Sequence, residues 1–181
     1  MIRCLITNGK AREHEPEWLA HVARWMDRSV DYVQIRERDL TARELAELTR
    51  KVLALPNPYG TRILVNDRAD IAIACGAHGV HLRDGSAAPE LFRRPGFLVS
   101  AACHSVEEVE QMHGADLILL APIFTPISKD DNRTPIGLDA LRRASLAAKV
   151  PLLALGGVTR GNEQACLASG AAGIAGISYF E

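Results

Sequence analysis

The chain has 181 residues, of which 48% are hydrophobic and 24% are charged, the balance of an ordinary globular domain and not of a disordered chain. Its 21 Lys and Arg residues against 22 Asp and Glu residues leave a net charge of −1, so we expect no binding to nucleic acid or to an anionic membrane surface. The four cysteines form no C-x-x-C pair, which argues against a zinc site. No apolar run approaches the roughly 20 residues that span a bilayer, and the first residues do not resemble a signal peptide. We therefore expect one cytoplasmic domain over residues 1–181.

Short aliphatic runs alternate along the chain with longer amphipathic stretches. Several runs are almost wholly apolar, which is typical of parallel strands buried on both faces. The predicted strands are Ile2–Ile6, Tyr32–Ile35, Ile63–Val65, Gly79–Leu82, Leu98–Ala101, Leu117–Leu120, Leu152–Leu155 and Gly173–Ile177. The predicted helices are Pro16–Asp27, Thr41–Leu55, Ser105–Met112, Leu138–Ala147 and Gly161–Ser169. Thr41 has Glu44 three residues on, the spacing of a capping box.

Eight strands alternating with helices predict either a closed barrel or an open doubly wound sheet. The first strand leads into Thr7-Asn8-Gly9-Lys10, which is not the G-x-G-x-x-G of a dinucleotide fold. The sequence therefore predicts a (β/α)₈ TIM barrel, more compact than the usual ~250 residues. Because Glu181 follows directly after the eighth strand, we expect the final helix to be missing. An uncovered strand 8 would favour a homodimer.

Candidate functional residues lie where strands end, because TIM barrels carry their chemistry at the carboxyl ends of the strands. Gly156-Gly157 follows strand 7, and Ile177-Ser178 ends strand 8. A Gly-Gly step lets backbone amides approach an anion closely, and barrels often build a phosphate site from these two loops. The alternative is that the two glycines only form a tight turn, and the pair alone does not decide between these interpretations.

Cationic side chains follow other strands. The cations are Arg36, Arg38 and Lys129. We expect them to meet at the mouth of the barrel, the end where the carboxyl ends of the strands lie, as binding of a polyanionic group would require. Such residues are also common on surface loops. Arg36 alternates with apolar Ile35 and should therefore point into the barrel, where an unpaired charge is costly.

Two further strand ends carry polar residues with alternative roles. Asn66-Asp67 could supply oxygen ligands to Mg²⁺, or Asp67 could cap the following helix. His104 is a candidate acid or base, or a histidine that caps or packs at the junction with the next helix. The pattern alone leaves both alternatives open.

The motifs, taken in order, resemble the thiamin phosphate synthase/TenI superfamily. They are Gln34-Ile35-Arg36-Glu37-Arg38, Val65-Asn66-Asp67-Arg68, Gly76-Ala77-His78-Gly79-Val80-His81-Leu82, Cys103-His104-Ser105, Pro122-Ile123-Phe124 with Ser128-Lys129, Ala154-Leu155-Gly156-Gly157-Val158 and Ile177-Ser178. The resemblance implies a (β/α)₈ barrel that acts on a small phosphorylated thiazole.

Two activities occur in that superfamily. A thiamin phosphate synthase joins a pyrimidine diphosphate to thiazole phosphate with Mg²⁺, and Asp67 would then bind the metal. Against this, the chain has Arg38 where the synthase pattern has Lys, Ser86 in place of a second metal-binding Asp, and Ala102 in place of a diphosphate-contacting Ser. A TenI-type thiazole tautomerase moves a proton to aromatise thiazole phosphate carboxylate and requires no metal.

The departures favour the tautomerase as our first prediction, with the synthase second and a non-catalytic thiazole phosphate-binding protein third. For the tautomerase, the resemblance implies His104 as the proton shuttle, with Gln34 and Arg36 orienting the substrate. The expected binding residues are Arg38, Asn66, Ser128, Lys129, Gly156, Gly157, Ile177 and Ser178.

Overall fold

The computed structural model describes residues 1–125 and 133–181. Within them, parallel strands pair in chain order, β1 to β8, and β8 pairs with β1 to close a barrel. The strands are β1 (Ile2–Ile6), β2 (Tyr32–Ile35), β3 (Arg62–Asn66), β4 (Gly79–Leu82), β5 (Leu98–Cys103), β6 (Leu117–Leu120), β7 (Leu152–Ala154) and β8 (Gly173–Gly176). The predicted barrel is confirmed, with each strand end within two residues of its predicted position.

Helices on the outside connect most of the strands. They are α1 (Glu15–Met26), α2 (Ala42–Leu53), α3 (Ala69–Cys75), α4 (Val106–Gln111), α5 (Gly137–Ala147) and α6 (Glu163–Ala168), with 3₁₀ helices at Pro89–Phe92 and Ser178–Phe180. The capping box of α2 is present, since Thr41 Oγ1 accepts from the Glu44 amide and the Glu44 carboxylate accepts from the Thr41 amide. Helix α3 was not among the predicted helices. None of the described helices has the length and apolar character needed to cross a membrane.

The barrel interior has an apolar half and a polar half. Alternation along the strands turns one set of side chains inward, and on β1, β6, β7 and β8 this set forms a buried apolar cluster. Its members are Cys4, Ile6, Leu117, Leu119, Leu153 and Ala175. On β2, β4 and β5 the inward positions instead hold Gln34, His81 and Ser100, all buried. The chain therefore concentrates interior polar groups on one side of the barrel.

The carboxyl-terminal residues cover the flank of β8, which corrects the expectation of an uncovered strand. Phe180 is fully buried and Tyr179 is 6% exposed. The Phe180 ring meets Trp25 of α1 edge-on at 4.9 Å, and Trp25 Nε1 donates to the Phe180 carbonyl at 2.7 Å. One turn of 3₁₀ helix, Ser178–Phe180, thus buries two aromatic rings beside β8. The homodimer was predicted because strand 8 was expected to be uncovered, and this reason no longer holds.

Candidate active site

A buried carboxylate organises the mouth next to β1 and β2. Glu37 is 4% exposed, and its Oε1 accepts from Thr7 Oγ1 at 2.6 Å and from the Gly9 amide at 3.1 Å. Trp18 Nε1 donates to the same oxygen at 3.1 Å, and the Ala11 amide donates to Oε2 at 2.9 Å. Four donors therefore tie the loop after β1 to the end of β2. Sequence analysis assigned Glu37 no role, although an ionised side chain directly after a buried strand needs such partners.

Gln34 and Arg36 occupy alternate positions on the inner face of β2 and just beyond its end. The Arg36 amide donates to Thr7 Oγ1 at 2.8 Å, which fixes the main chain at the end of β2. Gln34 is 1% exposed, and its Nε2 has no hydrogen-bond partner within the described residues. A buried amide left without an acceptor costs about 1–3 kcal/mol, so Gln34 is a strong candidate to donate to a bound substrate or water.

His81 lies in the polar half of the interior, with its Nδ1 2.9 Å from Ser100 Oγ. Burial lowers the pKa of His81 to about 4, and the positive charge of Arg36 acts in the same direction, with His104 contributing less. Asp67 opposes the shift. His81 is therefore neutral near pH 7, and its place among these groups is that of a structural histidine.

Asp67 follows β3 in a left-handed backbone conformation, with φ at +59°. Its amide donates to the His81 carbonyl at 2.8 Å, which fixes the turn. Its carboxylate accepts from Arg83 Nε at 2.6 Å and from Ser86 Oγ at 2.9 Å. The alternative role as a helix cap is wrong, because Arg68 is the N-cap of α3 and no side chain caps that helix.

The residues around Asp67 do not fit a preformed Mg²⁺ site. Each oxygen of its carboxylate already accepts a hydrogen bond, and one of these comes from a guanidinium. In residues 1–125 and 133–181, no three His, Cys, Asp or Glu side chains come close enough to hold a metal ion. Mg²⁺ usually needs one or two carboxylates in addition to phosphate oxygens. The Asp67 carboxylate is therefore already paired with a cation, although Asp84 and Glu108 line the adjoining cavity.

His104 precedes α4 at the mouth and is half-buried. Its Nδ1 is 2.7 Å from the Ala121 carbonyl oxygen. Arg133 Nη1 lies 2.7 Å from both Nδ1 and Nε2 of the ring. The capping alternative is wrong for His104, because Ser105 is the N-cap and accepts from the Glu108 amide.

The turn after β7 requires glycine at both positions. Gly156 and Gly157 have φ of +89° and +65°. A Cβ on Gly156 would lie 2.7 Å from Pro122 Cα, and one on Gly157 would lie 2.4 Å from the Thr125 carbonyl oxygen. The tight turn and close packing therefore explain the glycines by themselves. The role in phosphate binding stays a prediction.

The amides of the two neighbouring turns support that prediction. Ala154 pairs with Ile174, so the Gly156–Gly157 turn lies beside the end of β8. Within the described residues, the amides of Gly157 and Ser178 have no hydrogen-bond acceptor. Backbone amides without an acceptor at the ends of two neighbouring strands are suited to bind an oxyanion.

The remaining predicted residues are spread around the mouth. Asn66 ends β3 and is half-buried, Ile177 is half-buried against the apolar interior, and Arg38 is exposed on the loop after β2. Ser128 and Lys129 lie outside the described residues. A cavity of about 270 Å³ opens beside the β4 end, lined by Arg83, Ser86, Ala102, Glu108 and Met112 among others. Arg83, next to Asp67, was not among the predicted site residues.

Comparisons with known proteins give the family. A family described as thiamine monophosphate synthase matches residues 3–180. The thiamine-phosphate synthase of Methanoculleus marisnigri is 37% identical over 177 residues, which cover 95% of this chain and 82% of that protein. The thiamine-phosphate synthase of Methanoregula boonei is 37% identical over 153 residues, covering 82% of this chain and 71% of that protein.

The fold agrees with this relationship. The solved structure of a thiamine phosphate pyrophosphorylase from Pyrococcus furiosus superposes with a TM-score of 0.82 and 28% identity, covering 98% of this chain and 85% of that one. The fold of this chain is thus similar to that of a solved structure named for the same activity. This chain is a TIM-barrel enzyme that belongs to the thiamine monophosphate synthase family.

Proposed function

We propose that the protein is a thiamine-phosphate synthase that joins a pyrimidine methyl diphosphate to thiazole phosphate. The observation that carries the choice of reaction is the 37% identity, over 95% of the chain, to a relative named for this activity. The tautomerase was our first prediction, and the relatives favour the synthase instead. The departures at Ser86 and Ala102 are thus departures within a family of synthases.

The reaction forms a C–N bond between the thiazole nitrogen and the pyrimidine methylene carbon, and it breaks the bond from that carbon to the diphosphate oxygen. Diphosphate leaves with the electron pair, so positive charge near the departing oxygens lowers the barrier. The amides of Gly157 and Ser178 hold the thiazole phosphate on the β7–β8 side. Gln34 Nε2 donates to a substrate acceptor from below, and Arg36 contributes positive charge at the mouth.

The positive charge of Arg36 acts on the polar half of the interior, where it helps to lower the pKa of His81. Mg²⁺ is the expected cofactor of a synthase, but the described residues do not fit a preformed metal site. The assay therefore compares turnover with and without Mg²⁺.

The test is formation of thiamin phosphate from both substrates by purified protein, measured by mass spectrometry with Mg²⁺ and with EDTA. We expect product from the wild type. We expect at least a 100-fold lower kcat/KM for Arg36→Gln, which corresponds to about 2.7 kcal/mol of transition-state stabilisation. Arg50→Gln is the matched control, because Arg50 is exposed in the last turn of α2, at the opposite end of the barrel.

Lack of product, together with tautomerisation of thiazole phosphate carboxylate by the same preparation, would overturn the synthase in favour of the tautomerase. The observation that favours this second candidate is the position of His104, a half-buried imidazole at the carboxyl-terminal end of β5 with Arg133 Nη1 2.7 Å from its ring nitrogens. His104→Ala should then abolish turnover, whereas a synthase without need of a base should retain most of it. Binding of thiazole phosphate without either product would indicate the third prediction, a non-catalytic binding protein.

A further inference from the structure

The ion pair between Asp67 and Arg83 fixes a guanidinium at the mouth. Arg83 Nε donates to Asp67 Oδ2 at 2.6 Å, and Ser86 Oγ donates to Oδ1 at 2.9 Å. The carboxylate is itself held by the main chain, since the Asp67 amide bonds to the His81 carbonyl at 2.8 Å. The Asp67 carboxylate that holds the cation is thus anchored through its own main chain to the end of β4.

Arg83 uses only one edge of its guanidinium in this pair. Its Nη1 and Nη2 have no partner in residues 1–125 and 133–181, and its side chain is 65% exposed, compared with 29% for Asp67. Arg83 and Ser86 also line the cavity of about 270 Å³ beside β4, together with the acidic residues Asp84 and Glu108. A guanidinium held at Nε can present its terminal nitrogens to a second oxyanion, with two parallel hydrogen bonds.

We infer that Arg83, positioned by Asp67, is the cation that contacts the diphosphate group in this protein, so that diphosphate is bound without a divalent metal. The inference rests on the proposed synthase function and names a binding residue for its leaving group. Asp67 is then a positioning residue that acts through Arg83. Ser86 completes the arrangement by occupying the carboxylate oxygen that Arg83 does not use.

The first experiment measures binding of inorganic pyrophosphate in EDTA by titration calorimetry. We expect binding by the wild type and a loss of about tenfold or more in Arg83→Ala, the size of one charge-assisted hydrogen bond at a partly exposed site. Arg83→Lys should fall between them, because an ammonium keeps the charge and loses the paired geometry. Arg50→Ala is the control for loss of a surface charge and should bind like the wild type.

The second experiment measures Mn²⁺ binding by electron paramagnetic resonance, without substrates. Removing Arg83 frees a carboxylate oxygen, so Arg83→Ala should bind Mn²⁺ about tenfold more tightly than the wild type. The double variant Arg83→Ala/Asp67→Asn should lose this gain. A gain of metal binding separates a positioning role from mere damage to the fold, which would produce only losses.

Unchanged pyrophosphate binding in Arg83→Ala, or none by the wild type in EDTA, would overturn the inference. So would Mn²⁺ binding by the wild type that is as tight as by Arg83→Ala. Neither experiment requires turnover, so a failed synthase assay leaves both interpretable. Pyrophosphate binding that depends on Arg83 in a protein that makes no thiamin phosphate would refute the proposed function and support the diphosphate site.

Discussion

Replacing Glu37 by Gln tests whether one buried carboxylate holds the loop after β1. The two side chains have nearly the same shape, but the amide has one acceptor oxygen in place of two. In the less costly orientation, the amide nitrogen takes the place of Oε2 and faces the Ala11 amide, so that two donors meet. Ala11 is 3% exposed, so water does not readily replace the lost acceptor.

An orphaned buried donor costs about 1–3 kcal/mol, and the three bonds to the other oxygen weaken when their acceptor loses its charge. Relief from burying a charge offsets part of this. We therefore expect Glu37→Gln to lower the free energy of unfolding by about 2–4 kcal/mol. Urea unfolding at pH 7, followed by tryptophan fluorescence, measures this loss, and Trp18 reports on the loop directly because it donates to Glu37.

Glu47→Gln is the matched control, because Glu47 is exposed on α2 and should change stability by no more than about 0.5 kcal/mol. If Glu37→Gln is as stable as this control, the four hydrogen bonds do not hold the loop and the reasoning fails.

Three further predictions concern other parts of the fold. The pKa of His81 is about 4 in the folded protein against an ordinary 6.5, mainly because of burial. The neutral His81 therefore stabilises the folded protein fully above pH 6.5, and this stabilisation is lost as the pH falls towards 4. Urea unfolding should show a loss of about 2 kcal/mol between pH 7 and pH 5, and His81→Asn should flatten this part of the pH profile. Gly157→Ala places a Cβ 2.4 Å from the Thr125 carbonyl oxygen at a φ of +65°. Thermal unfolding should therefore show a free energy of unfolding that is lower by at least about 2 kcal/mol, and calorimetry should show weaker binding of thiazole phosphate. Trp25→Phe removes the 2.7 Å bond to the Phe180 carbonyl, and urea unfolding should show a cost of about 1–3 kcal/mol; a stability equal to the wild type would contradict the proposed cover of β8.

The barrel was predictable from sequence because its strands are short apolar runs that amphipathic stretches separate clearly. Helix α3 was harder, since it has seven residues and no side chain caps its start at Arg68. The cover of β8 depends on Trp25 and Phe180, which are 155 positions apart in the chain. No local sequence pattern indicates such a contact, so the sequence predicted an uncovered β8, whereas aromatic side chains cover this strand in the structure.

The same limit applies to the site. The structure places Gln34, Arg36 and Asp67 at or near strand ends, where the sequence predicted them, because the carboxyl ends of parallel strands share one edge; their part in a site stays a prediction. What each residue does depends on partners from other strands. Asp67 lies 16 positions from Arg83, and only the pairing of β3 with β4 brings their loops together. A carboxylate after a strand suggests a metal ligand until its ion pair is known.

The partner of Asp67 also bears on why two reactions were hard to separate. Both activities need a site that binds the phosphate of the thiazole, so the turn at Gly157 cannot distinguish them. Loss of a metal ligand at Ser86 argues against the synthase only if diphosphate requires a metal. A guanidinium supplies one positive charge and two directed hydrogen bonds, whereas Mg²⁺ supplies two charges and rigid octahedral coordination. If Arg83 takes the diphosphate, the departures from the synthase pattern change how charge is supplied and leave the bond-breaking step intact, at the cost of weaker transition-state stabilisation than a metal would give.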